Sequence, residues 1–216
     1  MNLPMLLLFM AASLVHFVFC FLGSRKGYLL TKPLLVPLLL GVYLLSARHI
    51  SPLAVAALVC GFIGDVVLEL PQKSKDPTKP NPPMLIGLGA FLLGHVFYII
   101  LFAGQVAAYP VVETFLMALA AAGLFLLVLR SLFSHMGAML LPGTAYLAVL
   151  MVMVFFAALS GLTIPIFPRI PGALLFLLSD YILARSILFE KGRYTDLMVM
   201  LTYLCAQFSL VCSLLM

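Results

Sequence analysis

The stretch GFIGDVVLEL, Gly61 to Leu70, sets Asp65 inside an apolar run that begins near Ile50. A second stretch, GALLFLLSDYILA from Gly172 to Ala184, holds Asp180 in the same manner, with Phe176 four residues before it and Leu183 three after. Runs of this kind recur along the whole chain. A helix needs about 20 predominantly apolar residues to cross a hydrocarbon core roughly 30 Å thick, and these runs reach that length. Only helices and closed barrels satisfy every backbone donor and acceptor in lipid, and no run shows the apolar-polar alternation of a barrel strand. The fold class that follows is all-α, a polytopic transmembrane helix bundle.

Composition agrees with that reading. Of 216 residues, 65% are hydrophobic and 9% charged, with a mean hydropathy of +1.24, outside the range of ordinary soluble domains. The apolar runs leave no stretch for a separate soluble unit, so residues 1–216 read as a single transmembrane domain. With Pro, Gly and charge clusters as punctuation, helices fall near 3–22, 28–47, 50–70, 84–104, 110–131, 138–159, 171–189 and 196–215. The first lacks a cationic leader and is too long for a typical signal-peptide core, and it reads as a retained span. The longest connector, PQKSKDPTKPNPP at 71–83, is Pro-rich and polar, which predicts an extended cytoplasmic loop, or a lid near an entrance.

The net charge of +5 does not point to nucleic acid, because the basic residues sit in short connectors rather than on one face or in a tail. They serve topology instead. Of the 12 basic residues, Arg25, Lys26, Lys32, Lys73, Lys75, Lys79, Arg130, Arg185, Lys191 and Arg193 fall on one side, and only Arg48 and Arg169 on the other. The positive-inside rule makes the first side cytoplasmic and both termini non-cytoplasmic. The protein is then an integral membrane protein, of the inner membrane if bacterial. The four cysteines, Cys20, Cys60, Cys205 and Cys212, lie in apolar spans with no C-x-x-C pair and no His at metal-ligand spacing. They read as small buried hydrophobes.

This orientation sets the depth of the polar groups, at 1.5 Å of rise per residue. Asp65 lies about five residues from the cytoplasmic end of its span and Asp180 about nine from the end of its own, so both sit in the inner half of the membrane. An intramembrane carboxylate costs at least a few kcal/mol and ordinarily faces a bundle interior or wet cavity where it has a function. Two neighbouring carboxyls titrate apart, and such a pair can hold one acid and one base at neutral pH. The bland alternative for each is an interhelical hydrogen bond that fixes packing.

Other polar groups lie at similar depth. His95 and Tyr98 share a helical face, Tyr146 stands in the sixth span, and Tyr203 and Gln207 are an i, i+4 pair in the eighth. All are candidates to line one inward-facing cavity, or else ordinary packing and hydrogen-bonding residues. Lys32 precedes Pro33 at what looks like a helix start. It is a snorkelling lysine, a contact for a phosphate head group, or a cation that balances the carboxylates. Glu69, one turn after Asp65, reads as a solvated interface carboxylate. Gly87, Gly89 and Gly94 favour close helix approach, and the similar settings of the two aspartates hint at an internal duplication.

Taken together, Lys32-Pro33-Leu34, the Gly64-Asp65 pair, the G-x3-F-x3-H-x2-Y run from Gly87 to Tyr98, PGTAY from Pro142 to Tyr146, GALLFLLSDYILA, and YLCAQ from Tyr203 to Gln207 resemble the lysoplasmalogenase family of YhhN-like membrane proteins. Their order matches across most of the chain. The resemblance implies hydrolysis of the vinyl ether bond of lysoplasmalogens to a fatty aldehyde and a glycerophospho-ethanolamine or -choline. It also implies that Asp65 and Asp180 are the catalytic pair, one acid and one base. Lys32, His95, Tyr98, Tyr146, Tyr203 and Gln207 are the expected substrate-binding residues, around an active site opening toward the cytoplasm. The partners are then a lysophospholipid substrate and membrane lipids. No cofactor is expected and no metal, since acid-base chemistry suffices and no ligand cluster is visible. The long Pro-rich loop departs from the family pattern and leaves substrate entry open.

Three rival classes share paired intramembrane aspartates. An intramembrane aspartyl protease requires G-x-G-D, but Phe62 stands two residues before Gly64. A proton-coupled transporter suits the carboxylates, though the spans show no clear break. A lipid-binding or sensing protein would use the same cavity without turnover.

Overall fold

The computed structural model describes residues 1–71, 81–106, 110–163, 168–189 and 191–216, with the side chains of 162 and 163 excepted. Among the described residues the chain forms eight α-helices: α1 (Leu3–Leu22), α2 (Arg25–Ser46), α3 (Pro52–Leu68), α4 (Pro82–Ala103), α5 (Val111–Leu132), α6 (Leu140–Thr163), α7 (Arg169–Leu188) and α8 (Thr195–Leu214). Two short 3-10 turns, Phe133–His135 and Gly137–Met139, join α5 to α6. Seven of the helices are long and apolar enough to cross a membrane, and the 17-residue α3 is the shorter exception. The expected all-helical bundle is therefore observed. Most of the Pro-rich connector, 72–80, lies outside the described residues, and so do Lys73, Lys75 and Lys79.

Local chemistry accounts for the helix ends. Asn2 caps α1 by accepting from the Met5 N–H, and its own N–H reaches the Ser46 hydroxyl at 2.7 Å, which ties the start of α1 to the end of α2. Gly23 closes α1 with φ +68°, a left-handed conformation that a side chain would strain. Ser24 follows at once as the cap of α2, accepting from the Gly27 N–H. That two-residue turn corrects one expectation. Lys32-Pro33 is not a helix start, because the Ser24 cap begins α2 seven residues before Lys32 and leaves Pro33 and Pro37 inside the helix. Arg25 and Lys26 are then helical residues rather than a loop.

Packing is built from neighbours in pairs: α3 against α4, α7 against α8 and α1 against α2, with α4 and α5 both touching α6. Lipid is as apolar as leucine, so close backbone approach and shape, rather than water exclusion, hold such helices together. At the α3–α4 contact a Cβ on Gly94 would stand 3.2 Å from the Ala57 carbonyl oxygen, and one on Gly87 would stand 2.7 Å from Leu68. The core runs through Leu35, Leu39 and Val42 of α2, Ala54, Ala57 and Leu58 of α3, Leu150 and Met153 of α6, and Leu210 and Val211 of α8. Helix α5 is peripheral: Leu132 is its one buried residue, and Val111, Leu119 and Leu127 face outward. The first residue of α7, Arg169, expected in an outer connector, is instead buried, donating to the Ser160 hydroxyl at 2.8 Å with its guanidinium over the Phe102 ring.

Candidate active site

Asp65 lies near the end of α3 and is only 4% exposed. The small residues Gly61 and Gly64 flank it on the helix and let α8 and α4 come close. A Cβ on Gly61 would stand 3.2 Å from the Gln207 amide nitrogen and 3.4 Å from the Tyr203 hydroxyl, and one on Gly64 would strike the Phe91 ring. Through this gap the Tyr203 hydroxyl donates to the Asp65 carboxylate at 2.8 Å.

The opposite oxygen of Asp65 faces Lys32 of α2, whose Nζ stands 3.7 Å away. Lys32 donates to Glu69 at 2.7 Å, and Arg25 pairs with the other Glu69 oxygen at 2.8 Å. Carboxylates and cations thus alternate from the first turn of α2 inward to Asp65, as Arg25, Glu69, Lys32 and Asp65. Of the roles expected for Lys32, balancing the carboxylates is the one this geometry displays. Glu69, read from sequence as a solvated carboxylate, retains only 18% side-chain exposure and is held by two cations. Burial works to raise its carboxyl pKa, but the charges and hydrogen bonds of Lys32 and Arg25 outweigh that and hold it below the ordinary value.

Asp180 lies on α7 and is partly exposed. It accepts a short hydrogen bond from the Tyr146 hydroxyl of α6. A run of rings joins the two carboxyls: Tyr146 to His95 at 5.4 Å between centroids, His95 to Phe176 at 4.7 Å, and Phe176 to Tyr203 at 5.5 Å, each edge to face. Asp65 and Asp180 therefore belong to one constellation, each taking a tyrosine hydroxyl from a different helix.

Between these groups the Tyr98 hydroxyl donates to the Gln207 carbonyl at 3.2 Å, and the Gln207 amide reaches the Tyr203 hydroxyl at 3.4 Å. His95 is 1% exposed, and neither ring nitrogen has a hydrogen-bond partner among the described residues. His95, Tyr98, Gln207, Gly61 and Phe176 line a cavity of about 10 Å³, close to the room one water centre requires and far too little for a lipid. A larger recess of about 300 Å³ between α5 and α6 is lined by Ala118, Ala121, Phe125, Met151 and Phe155. Among the described residues its lining carries no group that can exchange a proton.

All eight expected residues, Asp65, Asp180, Lys32, His95, Tyr98, Tyr146, Tyr203 and Gln207, meet in this constellation. Sequence reasoning missed Arg25, which completes the charge chain, and Phe176, which bridges the rings. The signal for Phe176 was present, one helical turn before Asp180, but a phenylalanine in a greasy helix looks like any other. His16, also not singled out from the sequence, is a buried polar group outside this constellation: it lies in α1 with Nδ1 2.6 Å from the Thr31 hydroxyl and its ring beside Tyr28.

With this geometry in place, a comparison with protein families finds the YhhN family model matching residues 27–214. The chain belongs to the YhhN family. That family includes lysoplasmalogenases, and the match spans every residue of the constellation except Arg25. No curated protein and no solved structure matches the chain.

Proposed function

We propose that this YhhN-family protein is a membrane-embedded lysoplasmalogenase. In this reading it hydrolyses the vinyl ether of 1-alkenyl-glycerophospho-ethanolamine or -choline to a fatty aldehyde and the glycerophospho alcohol. The observation that carries the proposal is the convergence of Asp65 and Asp180, from α3 and α7, on one tyrosine- and histidine-lined constellation in a family that includes such enzymes.

The chemistry needs what such a pair can supply. A vinyl ether is cleaved by proton transfer to its β carbon, which leaves an oxocarbenium ion that water captures as a hemiacetal. A carboxylic acid supplies the proton, and a carboxylate steadies the cation and takes a proton from water. The alkenyl tail would lie among the apolar side chains of the bundle. Arg25, at 60% side-chain exposure, is the cation of the charge chain best placed to meet a phosphate head group, on the side the charge distribution makes cytoplasmic.

The test is aldehyde release from lysoplasmenyl-ethanolamine and -choline by the purified protein in detergent, with Asp65→Asn and Asp180→Asn beside it. Turnover by the native protein and a loss of about 100-fold or more in each variant is the expected result. Lysolipid binding without turnover in folded native protein would replace the proposal with a lipid-binding role. Solute or proton movement across sealed vesicles, again without turnover, would replace it with transport.

A further inference from the structure

The two carboxyls are alike in sequence and unlike in their surroundings. Asp65 faces Lys32 from α2 and the Tyr203 hydroxyl from α8, with Glu69 one turn further along its own helix. Asp180 faces the Tyr146 hydroxyl from α6, and no cation among the described residues lies within ion-pairing distance of it. An uncompensated anion inside a bundle is expensive, whereas one set against a cation and a donor is tolerated. Burial differs too: Asp65 is buried and Asp180 is intermediate. The small cavity of about 10 Å³ has Gln207, which reaches the Tyr203 hydroxyl beside Asp65, on one wall and His95, whose ring meets Tyr146 beside Asp180, on another, so an attacking water held there can reach the Asp65 side.

We infer that Asp180 is the general acid that protonates the β carbon of the vinyl ether, and that Asp65 is the carboxylate that receives the proton of the attacking water. The assignment rests on the vinyl ether reading. In the first step the Asp180 carboxyl proton moves to the β carbon, the double-bond electron pair forms the new C–H bond, and the α carbon becomes the oxocarbenium carbon. Water then bonds to that carbon and passes one proton to Asp65. As the hemiacetal collapses, the bond between the α carbon and the glycerol oxygen breaks. The oxygen takes the proton held by Asp65, and the hemiacetal hydroxyl proton returns to Asp180. Both groups end as they began, and one water has been consumed.

The assignment predicts different failures for the two carboxyls, readable in heavy water. With Asp65→Asn the acid still works but the cation is not captured, so, once the bond between its α and β carbons has rotated, Asp180 removes the original β hydrogen and leaves behind the deuteron it delivered. Recovered lysoplasmalogen should then accumulate deuterium at that carbon while aldehyde release falls about 100-fold or more. With Asp180→Asn neither aldehyde nor exchange should appear. Exchange in Asp180→Asn but not in Asp65→Asn, or in neither, overturns the assignment. Should Asp65→Asn not fold, Tyr203→Phe and Tyr146→Phe carry the same test. Tyr203→Phe should raise exchange relative to aldehyde, Tyr146→Phe should lower both together, and the reverse pattern overturns the proposal. Native protein that releases no aldehyde overturns the vinyl ether reading itself, whereas hydrolysis by native protein with exchange in the wrong variant overturns the assignment alone.

Discussion

Lys32 shows how much one residue can decide. It is 7% exposed, and its ammonium is shared between two carboxylates, Asp65 and Glu69. Removing one partner of a buried ion pair leaves uncompensated charge and costs about 3–5 kcal/mol. Lys32→Met should therefore lower the melting temperature in detergent markedly, and more than Lys26→Met, whose residue makes no ion pair among the described residues. The same network gives a pH dependence. Glu69 has its folded-state pKa depressed, so it contributes stability above its unfolded value, near the ordinary 4.5, and loses that contribution as pH falls toward the folded value. Melting temperature measured against pH should drop on acidification below about 4.5, and the Glu69→Gln variant should lose part of that drop.

At the scale of helices, the α3–α4 contact sets where Asp65 sits. A methyl group at Gly94 would press on the Ala57 carbonyl oxygen at 3.2 Å and on Cys60 at 3.4 Å, and a backbone carbonyl in a helix gives way poorly. Gly94→Ala should destabilise by about 1–3 kcal/mol and, by shifting α3, reduce turnover as well. Gly89, on the same helix, has open space around it. There alanine should be neutral or stabilising by up to about 1 kcal/mol, the ordinary helix-propensity gain. Thermal unfolding of the two variants side by side checks both. From sequence the two glycines were equivalent small residues; only the neighbouring helix distinguishes them. The start of α2 carries a similar lesson. Pro33 after Lys32 looks like a first-turn proline, yet a serine cap after a left-handed glycine begins the helix earlier and leaves two prolines, Pro33 and Pro37, in its interior.

For the molecule as a whole, lipid is the solvent of the outer surface. Leu119, near the middle of α5, is 60% exposed, so a cation there would face hydrocarbon. Leu119→Lys should cost about 2.5–3.5 kcal/mol of insertion free energy, seen as a smaller carbonate-resistant membrane fraction. The length of the apolar runs, their Pro and Gly punctuation and the lack of alternation were enough for an eight-helix bundle, because in lipid each helix satisfies its own backbone and the information is local. Two lone aspartates in apolar helices were enough to single out the candidate site around which the tyrosines, His95 and Lys32 gather, since an intramembrane charge is costly and calls for a reason. What the sequence could not carry was who meets whom. Lys32 and Asp65 are 33 positions apart and Asp65 and Tyr203 are 138 apart, and helical periodicity relates only residues a turn or two distant. The tertiary packing alone gave Asp65 a cation, left Asp180 without one among the described residues and set a small cavity of about 10 Å³ beside Gln207 and the Tyr203 hydroxyl. Those differences separate two carboxyls that the chain itself writes the same way.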